Sequence, residues 1–260
     1  MAETCLSCDH SAAETGGGTT STMKLSIVIP AYNEETSLLK VIAAVEAVDL
    51  EAALGVPMGK EILVVDDGSS DGTAEILAQE SKRGRSFVHL RHEQNRGKGA
   101  AIRTAFAKVT GDIVIIQDAD MEYDPQEFGR LLAPIVSGRA DVVYGSRLSG
   151  GQPQRVYLFW HLLGNRFLSL LMNVLYNSTL TDMETGYKVF RREVVDSFRL
   201  RENDFRIEPE MTAQVLRNPQ WRVYELPISY YGRTYAEGKK ITWRDGVKAL
   251  GTIIRCRIGL

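Results

Sequence analysis

The chain has 260 residues, of which 44% are hydrophobic and 25% charged, an ordinary balance for a globular protein. This length is enough for one large α/β domain or two small ones. The formal net charge of −2 argues against a dedicated nucleic-acid binder, since such proteins are strongly basic. Three cysteines, an odd and sparse number, suit a reducing compartment.

Residues 1–23 are rich in Ser, Thr and Gly and carry three acids but no Lys or Arg, which predicts a disordered tail. Cys5 and Cys8 in this tail form a C-x-x-C pair, which supplies only half of a structural zinc site. The segment lacks the basic and apolar regions of a signal peptide, so none is expected. The sequence contains no uninterrupted apolar run of about 18 residues, so no transmembrane helix is predicted.

Short apolar runs alternate with helical patterns along the rest of the chain. Strands are predicted at 25–29, 61–65, 87–91, 112–117, 141–144, 186–190 and 221–228. Helices are predicted at 34–48, 72–82, 97–108, 125–137, 157–176, 208–216 and 243–255. Because strands that alternate with helices form parallel sheets, the pattern predicts an α/β fold with a mainly parallel central sheet flanked by helices.

Acidic residues follow two of the predicted strands. They are Asp66, Asp67, Asp118 and Asp120. Right-handed connections place the carboxyl ends of parallel strands at one edge of the sheet, where α/β proteins bind ligands. Two such carboxylates can hold a divalent cation, and the cation can hold a diphosphate. Asp-rich turns and helix caps are the alternative interpretation, and Asp71 is expected to be a cap alone.

The sequence Asn-Arg-Gly-Lys-Gly at residues 95–99 precedes a predicted helix. Glycines at the start of a helix let an anion approach the backbone N–H groups closely. The spacing is not that of a P-loop. Lys98 is therefore a candidate for binding the anionic part of a ligand beside the acidic loops.

Four motifs occur in order along the first half of the chain. They are PAYNEE at 30–35, DDGSSDGT at 66–73, NRGKGAA at 95–101 and DADMEYDP at 118–125. In this order and spacing they resemble the family 2 glycosyltransferases, which have the GT-A fold, a Rossmann-like fold that binds nucleotide sugars. Within that family, the segments GSR, ETGYKVFRREV and RTYAEGKK at 145–147, 184–194 and 233–240 are similar to polyprenyl-phosphate hexosyltransferases such as dolichyl-phosphate mannose synthases and dolichyl-phosphate glucosyltransferases.

The resemblance covers about residues 24–249 and implies the domain organisation. A GT-A domain is expected at 24–240, with a nucleotide-sugar half at 24–147 and an acceptor half at 148–240. Trp243, Val247, Leu250 and Ile254 recur at helical spacing and form one apolar stripe, so an amphipathic helix that can lie on a membrane surface is expected at 241–260. Residues 230–260 contain seven Lys or Arg and two acids, and this positive charge favours binding of the helix to an anionic membrane surface. Packing of this helix on the parent domain is the alternative.

The resemblance also implies a donor site. Asp67 is expected to recognise the base. The other expected contacts to the base and ribose are Pro30, Ala31, Tyr32, Asn33, Glu34 and Asp66. Lys98 and Asp118 are expected at the diphosphate, and Arg233 and Lys239 are expected to close over it as a lid. Glu184, Thr185 and Lys188 are expected to help seat the sugar. A solvated basic loop is the alternative for the lid.

A metal site is implied by the same resemblance. Asp118 and Asp120 match the D-x-D element that binds the metal–diphosphate, and Glu122 stands where relatives use a third ligand. These hard oxygen ligands suit Mg²⁺ or Mn²⁺. The alternative for Glu122 is a solvated acid at the entry to a helix.

The acceptor site that the resemblance implies depends on cations. Arg147 is expected to meet the acceptor phosphate in a forked contact, although a salt bridge at the sheet edge is the alternative. Arg155, Arg166 and His161 are the candidates for a second cation, with Arg166 assigned to the acceptor. Lys188 is assigned there as well.

The function expected from this resemblance is metal-dependent, inverting transfer of a hexose from a nucleotide sugar such as GDP-mannose or UDP-glucose to a polyprenyl phosphate. Asp118, Asp120 and Arg147 are the expected catalytic residues. The protein is expected to be cytoplasmic and peripheral on a membrane, with a membrane-protein partner or a second copy of itself as possible companions. The alternatives are a soluble acceptor, a sugar-nucleotide nucleotidyltransferase and a nonenzymatic nucleotide-sugar sensor.

Overall fold

A computed structural model describes residues 22–155, 159–233 and 243–259, the last range without the side chains of residues 243 and 244. The predicted tail, apart from its last two residues, and Lys239 lie outside these ranges. None of the helices within them is long and apolar enough to cross a membrane.

The described residues form seven strands and nine α-helices. The strands are β1 Met23–Ala31, β2 Met58–Asp66, β3 Val88–Arg91, β4 Ile113–Ile116, β5 Val142–Ser146, β6 Lys188–Arg191 and β7 Val223–Pro227. The helices are α1 Leu38–Ala47, α2 Leu50–Leu54, α3 Thr73–Lys82, α4 Lys98–Phe106, α5 Phe128–Val136, α6 Phe159–Tyr176, α7 Arg192–Ser197, α8 Ile207–Arg217 and α9 Trp243–Ile258. A 3-10 turn, Pro125–Glu127, precedes α5.

All seven strands belong to one sheet in the order β3-β2-β1-β4-β6-β5-β7. Strands β3, β2, β1 and β4 are mutually parallel, while β6 runs antiparallel to both β4 and β5. The predicted α/β class with a mainly parallel sheet is confirmed. Because β2, β1 and β4 are neighbours, the loops that follow them leave the sheet at one edge, as the sequence predicts.

Apolar side chains cover both faces of this sheet. The four apolar residues of the predicted first helix, Leu38, Val41, Ile42 and Val45, are all buried on one face. Helices α4 and α8 supply much of the core on the other face. All four residues of β4 are buried, as expected for a central strand that is covered on both sides.

Two short helices, α2 and α7, follow their preceding elements too closely to give a periodic signal of their own, and both were missed in the sequence. Strand β2 also begins at Met58, inside a predicted loop. Asp71 Oδ1 accepts a hydrogen bond from Thr73 N (3.0 Å) at the start of α3, but its Oδ2 also accepts from Glu35 N (3.2 Å), so Asp71 ties the loop after β1 to this helix and is not a cap alone. The proposed division of the chain near residues 147 and 240 stays a prediction.

Helices α6, α8 and α9 pack together beside the sheet. Ala249 and Ile253 of α9 are buried against Leu168 and Met172 of α6, and Tyr176 donates a hydrogen bond to Ile253 O (3.0 Å). The opposite faces of α6 and α9 are exposed although they are apolar. These exposed side chains are Phe159, Trp160, Leu163, Phe167, Leu170, Val174, Val247, Ile254 and Ile258.

The residues of the predicted apolar stripe on the last helix therefore differ in their exposure in the structure. Val247 and Ile254 are exposed and Leu250 is half-buried, while the side chain of Trp243 lies outside the described part. A different set of residues, which includes Ala249 and Ile253, packs on the domain. Packing on the parent domain consequently accounts for Leu250 but not for Val247 and Ile254.

Candidate active site

A cavity of about 810 Å³ opens at the edge of the sheet where β1, β2 and β4 end. Most of the residues that the sequence singles out line this cavity. They are Pro30, Ala31, Tyr32, Glu34, Asp67, Lys98, Asp118, Asp120, Glu122, Arg147 and Arg233. Residues of α6 and α9, including His161 and Lys248, line its other side. The cavity therefore reaches from the acidic loops to the two helices with exposed apolar faces.

Asn33 and Asp66 hold the loops in place and do not line the cavity. Asn33 Oδ1 accepts a hydrogen bond from Ser70 N (2.9 Å), and its own N–H donates to Ser69 Oγ (3.0 Å). Asp66 is fully buried, and its Oδ1 accepts from Ser69 N (2.9 Å). Their polar groups fix the turn between β2 and α3, and their assignment to the donor stays a prediction.

Asp67 joins the second acidic loop to the glycine-rich segment. Its Oδ1 and Oδ2 accept hydrogen bonds from Arg96 N (3.0 Å) and Gly97 N (2.7 Å), and His92 Nδ1 lies 2.6 Å from Oδ1. Gly97 has φ +97°, and a Cβ there would collide with the carbonyl oxygen of Asn203. Glycine is therefore needed where this loop meets the segment before α8.

Four charged side chains form a continuous row, and three of them, Lys98, Asp118 and Glu208, line the cavity. Lys98 Nζ lies 2.7 Å from Asp118 Oδ1 and 3.0 Å from Glu208 Oε1, and Lys188 Nζ lies 2.5 Å from Glu208 Oε2. Burial alone would lower the pKa of Lys98, but the charges of Asp118 and Glu208 outweigh it and raise the pKa above its usual value. Burial would raise the pKa of Glu208, but Lys188 and Lys98 hold it below its usual value. Two acids and two bases thus balance each other.

Lys188 has no exposed surface. Its Nζ donates to Glu208 and to the carbonyl oxygen of Thr185, and lies 5.2 Å from the centre of the Tyr144 ring. The ammonium group does not line the cavity, and the assignment of Lys188 to the acceptor stays a prediction that this burial disfavours. Its part is to neutralise Glu208.

Asp118 and Asp120 both line the cavity, and Asp120 is strongly affected by its surroundings. Burial, followed by the negative charges of Asp118 and Glu122, raises the pKa of Asp120 well above its usual range. Within the described ranges, no group of three His, Cys, Asp or Glu residues is arranged to hold a metal ion. The crowded pair Asp118 and Asp120 nevertheless fits a divalent cation, since a cation would relieve the repulsion that shifts Asp120.

Glu122 is engaged by protein donors on both oxygens. Oε2 accepts from the Tyr230 hydroxyl (2.6 Å), and Oε1 accepts from Arg233 N (2.6 Å). The Arg233 side chain bonds the Asp120 carbonyl oxygen and lies 3.1 Å from Glu34 Oε2. Arg233 thus links the loops after β1 and β4. Each Glu122 oxygen keeps a second lone pair, so Tyr230 and Arg233 would orient the carboxylate without preventing it from binding a metal ion.

Arg147 lines the same cavity and is held by an ion pair. Its Nε and Nη2 donate to the two carboxylate oxygens of Asp182 (2.7 and 2.8 Å), and the guanidinium lies 5.1 Å from the centre of the Tyr230 ring. The predicted alternative, a salt bridge, is therefore present, although Arg147 also lines the cavity. Arg155 and His161 line it too, whereas Arg166 is exposed outside it. The assignment of Arg166 to the acceptor stays a prediction, and the structure does not bring this residue to the cavity.

Several residues of this site had no role in the sequence analysis. Tyr123 accepts a hydrogen bond from Gly186 N (2.9 Å), Tyr230 binds Glu122, Asp182 fixes Arg147, and His92 contacts Asp67. Tyr123 lies inside the DADMEYDP motif and Asp182 lies just before ETGYK, so proximity to a motif was the signal that could have found these two. His92 and Tyr230 lie outside the quoted motifs.

Comparisons with known proteins agree with this arrangement. Residues 26–199 match the model of the family described as Glycosyl transferase family 2. Undecaprenyl-phosphate 4-deoxy-4-formamido-L-arabinose transferases from Salmonella paratyphi A and Salmonella dublin are 30% identical to this chain over 217 residues. The match covers 83% of this chain and 62% of each relative, so the chain spans less than two thirds of their length.

Solved structures show the same fold. Glucosyl-3-phosphoglycerate synthase from Mycobacterium tuberculosis, in complex with Mn²⁺, uridine diphosphate and phosphoglyceric acid, superposes with a TM-score of 0.68 at 21% identity. The superposition covers 92% of this chain and 79% of that one. The complex of the same synthase with uridine diphosphate alone also gives a TM-score of 0.68, at 19% identity and with 92% and 81% of the two chains covered. The expected GT-A fold is confirmed.

Proposed function

The chain belongs to glycosyl transferase family 2, and we propose that it is an inverting transferase that moves a hexose from a nucleotide sugar to a polyprenyl phosphate. One observation carries the proposal: a single cavity contains both Asp118 and Asp120 and Arg147, and extends to α6 and α9, whose outer faces are exposed and apolar. A donor diphosphate, an acceptor phosphate and a lipid chain would each find a matching surface.

The donor end is assigned to the loops after β1, β2 and β4. Tyr32 and Asp67 line the part of the cavity that we assign to the base and ribose. Lys98 heads α4 and bonds Asp118, so its ammonium group is placed to balance diphosphate charge together with the N-terminus of the helix. Arg233, at the end of a described range, is the residue of the expected lid that contacts these loops; Lys239 stays a prediction.

A divalent cation, Mg²⁺ or Mn²⁺, would be held by Asp118 and Asp120 and would neutralise the charge of the diphosphate when bound. Support comes from the crowding of these two carboxylates and from the Mn²⁺ in a complex of the solved synthase. Glu122 is the proposed third ligand, oriented by its hydrogen bonds from Tyr230 and Arg233.

The reaction needs no strong general base, because the acceptor phosphate oxygen is already anionic. That oxygen would form the new bond to the anomeric carbon while the bond from this carbon to the diphosphate oxygen breaks. The nucleoside diphosphate leaves with the bonding electron pair, and attack from the opposite face inverts the anomeric centre. The protein's task is to position the two anions and to stabilise charge.

Arg147 is the proposed contact of the acceptor phosphate. Asp182 engages Nε and Nη2, so we assign Nη1 to the phosphate. The carboxylate orients the guanidinium, and burial with a fixed ion partner limits the loss of side-chain entropy on binding. Arg155 and His161, which line the same cavity, are the proposed companions of Arg147 at this end.

The lipid chain of the acceptor would be reached from a membrane surface. Trp160 and Val174 of α6 are 77% and 72% exposed, and Val247 and Ile258 of α9 are 59% and 64% exposed. Contiguous apolar surface of this kind marks an interaction site, and amphipathic helices with such faces lie in the lipid interface. Peripheral binding through α6 and α9 would bring the mouth of the cavity next to polyprenyl phosphate.

A second candidate is transfer to a soluble phosphorylated acceptor. The solved synthase of the same fold is named for 3-phosphoglycerate and was crystallised with phosphoglyceric acid. An arginine held by Asp182 would suit either phosphate. The exposed apolar faces of α6 and α9 favour the lipid acceptor, because a soluble acceptor would leave these faces in contact with water.

A donor panel tests the proposal. Labelled GDP- and UDP-sugars are incubated with undecaprenyl or dolichyl phosphate in detergent, with Mg²⁺, Mn²⁺ or EDTA. We expect metal-dependent label in the organic phase from one donor, lost in Asp120→Asn and kept in Asp196→Asn, a matched change at an exposed residue of α7. Label that persists in EDTA, or in Asp120→Asn, would contradict the assigned metal role.

A further inference from the structure

The segment Asp182–Gly186 runs between the two ends of the cavity. At one end, Asp182 holds Arg147 through three hydrogen bonds, two from the guanidinium and one from the backbone N–H. At the other end, Gly186 lies so close to Asp118 that a Cβ at this position would collide with Oδ2 of the carboxylate. Glu184 stands midway in this segment and lines the same cavity. In a transfer from a diphosphate at Asp118 to a phosphate at Arg147, the sugar has to occupy the space between these ends.

Glu184 has hydrogen-bonding capacity that the protein does not use. Its Oε1 is enclosed, yet among the described residues it has no hydrogen-bond partner. Buried polar atoms in native proteins are nearly always paired, so an unpaired carboxyl oxygen on a cavity wall indicates a ligand. The neighbouring Thr185 is fully buried and its carbonyl oxygen accepts from Lys188 Nζ, which fixes the backbone that carries Glu184.

The surroundings of Glu184 are rich in negative charge. Glu208 is its strongest electrostatic neighbour, and Asp182 adds to the repulsion, while Lys188 and Arg147 act in the opposite sense. Lys188 and Arg147 are themselves paired with Glu208 and Asp182. Burial, followed by Glu208, raises the pKa of Glu184 to about 7. A further carboxylate brought into this space would lie near Glu184 and Glu208. Among the described residues it would find no free base there, because Lys188 and Arg147 are already paired with Glu208 and Asp182.

From this geometry, and resting on the function proposed above, we propose that Glu184 determines which donor sugar is used. Its carboxyl group hydrogen-bonds a hydroxyl group of the hexose, and together with Glu208 it disfavours donors whose sugar carries a carboxylate. The donor class is thereby narrowed to neutral hexoses that present a hydroxyl group to this wall.

The test compares donors in the wild-type protein, Glu184→Ala and Glu184→Gln. The probes are the donor found active, its 2-, 3-, 4- and 6-deoxy analogues, and the uronate with the same nucleotide. In the wild type we expect one deoxy position to lower kcat/KM by roughly 10- to 100-fold, because removing that hydroxyl leaves Glu184 unpaired. In Glu184→Ala we expect the same kcat/KM for the active donor and for that deoxy analogue. Glu184→Gln keeps the deoxy discrimination and uses the uronate several-fold better than the wild type does.

Binding without acceptor separates this inference from the function on which it rests. Titration with the nucleotide sugar and with the nucleoside diphosphate should show that Glu184→Ala weakens the first and leaves the second unchanged. This result holds whether the acceptor is a lipid or a soluble molecule. Glu75→Ala, at an exposed position in α3, serves as the matched control.

Two outcomes would overturn the assignment. One is a deoxy penalty of the same size in the wild type and in Glu184→Ala, since the hydroxyl would then be read elsewhere. The other is equal weakening of the nucleotide sugar and the nucleoside diphosphate, since the effect would then not be specific to the sugar.

Discussion

Replacing Lys188 by Met tests whether this lysine is structural or binds the acceptor. The ammonium group is fully buried, 2.5 Å from Glu208 Oε2. Removal of one partner from a buried ion pair costs about 3–5 kcal/mol, because the other charge is left without compensation. Lys98 still lies 3.0 Å from Glu208, but it also neutralises Asp118. We therefore expect a loss near the lower limit, about 3 kcal/mol.

A double-mutant cycle isolates the pair. In Lys188→Met with Glu208→Gln, both charges are gone and Lys98 is left with Asp118 alone, so the row is again balanced. The double variant should be more stable than Lys188→Met, with a coupling energy of about 2 kcal/mol. Urea unfolding measures each step as a shift of the midpoint at constant slope. Lys40→Met, at an exposed position in α1, controls for loss of a lysine.

Either of two results would contradict the structural role of Lys188. One is a Lys188→Met protein with wild-type stability and a raised KM for the acceptor, which would restore the acceptor role. The other is strict additivity in the cycle, which would show that Lys188 and Glu208 do not interact.

Three further predictions concern stability, the donor loop and the membrane surface. Burial would raise the pKa of Glu61, but hydrogen bonds from Lys24, Ser26 and Thr110 outweigh it and lower the pKa to about 2. Its stabilisation is therefore complete above the unfolded value near 4.5 and is lost as the pH falls through the folded value of about 2. Because solvent screens this partly exposed group, Glu61→Gln should lose about 1–2 kcal/mol at pH 7 and little at pH 2 in urea titrations. A loss that does not vary with pH would contradict this. Gly97→Ala should weaken nucleoside diphosphate binding about 10-fold or more in calorimetry, since φ +97° is strained for alanine and the loop must move; unchanged affinity would show that the loop does not hold the diphosphate. Trp160→Ser with Val174→Ser should reduce sedimentation with anionic vesicles while the thermal midpoint stays within about 2 °C, because both side chains are exposed; undiminished sedimentation would remove α6 from the membrane contact.

The edge that carries the site could be predicted because it depends on local signals. Apolar runs that end in Asp66–Asp67 and Asp118, and the parallel alternation of strands and helices, are sufficient to bring the loops after β1, β2 and β4 together. The roles of neighbouring acids could not be separated in this way. Asp66 and Asp67 are adjacent and alike in sequence, yet Asp66 bonds Ser69 N under the turn and Asp67 lines the cavity.

The rest of the site depends on contacts between distant parts of the chain. Lys188 and Glu208 meet only because β6 enters the sheet antiparallel between β4 and β5 and directs Lys188 beneath the cavity. The Arg147 salt bridge needs Asp182, 35 residues away, and the Glu122 pair needs Tyr230, 108 residues away. Periodicity and motifs describe one segment at a time, so they contain no information on these pairings.

The acceptor is the central claim, and a competition assay tests it most directly. The wild-type protein receives the active labelled donor together with undecaprenyl phosphate in detergent and an equal concentration of 3-phosphoglycerate, and the label is partitioned between organic and aqueous phases. We predict label in the organic phase that undecaprenyl alcohol, which lacks the phosphate, does not support, and a steep loss of it in Arg147→Gln. Label that stays in the aqueous phase as a glycosylated phosphoglycerate would contradict the lipid acceptor.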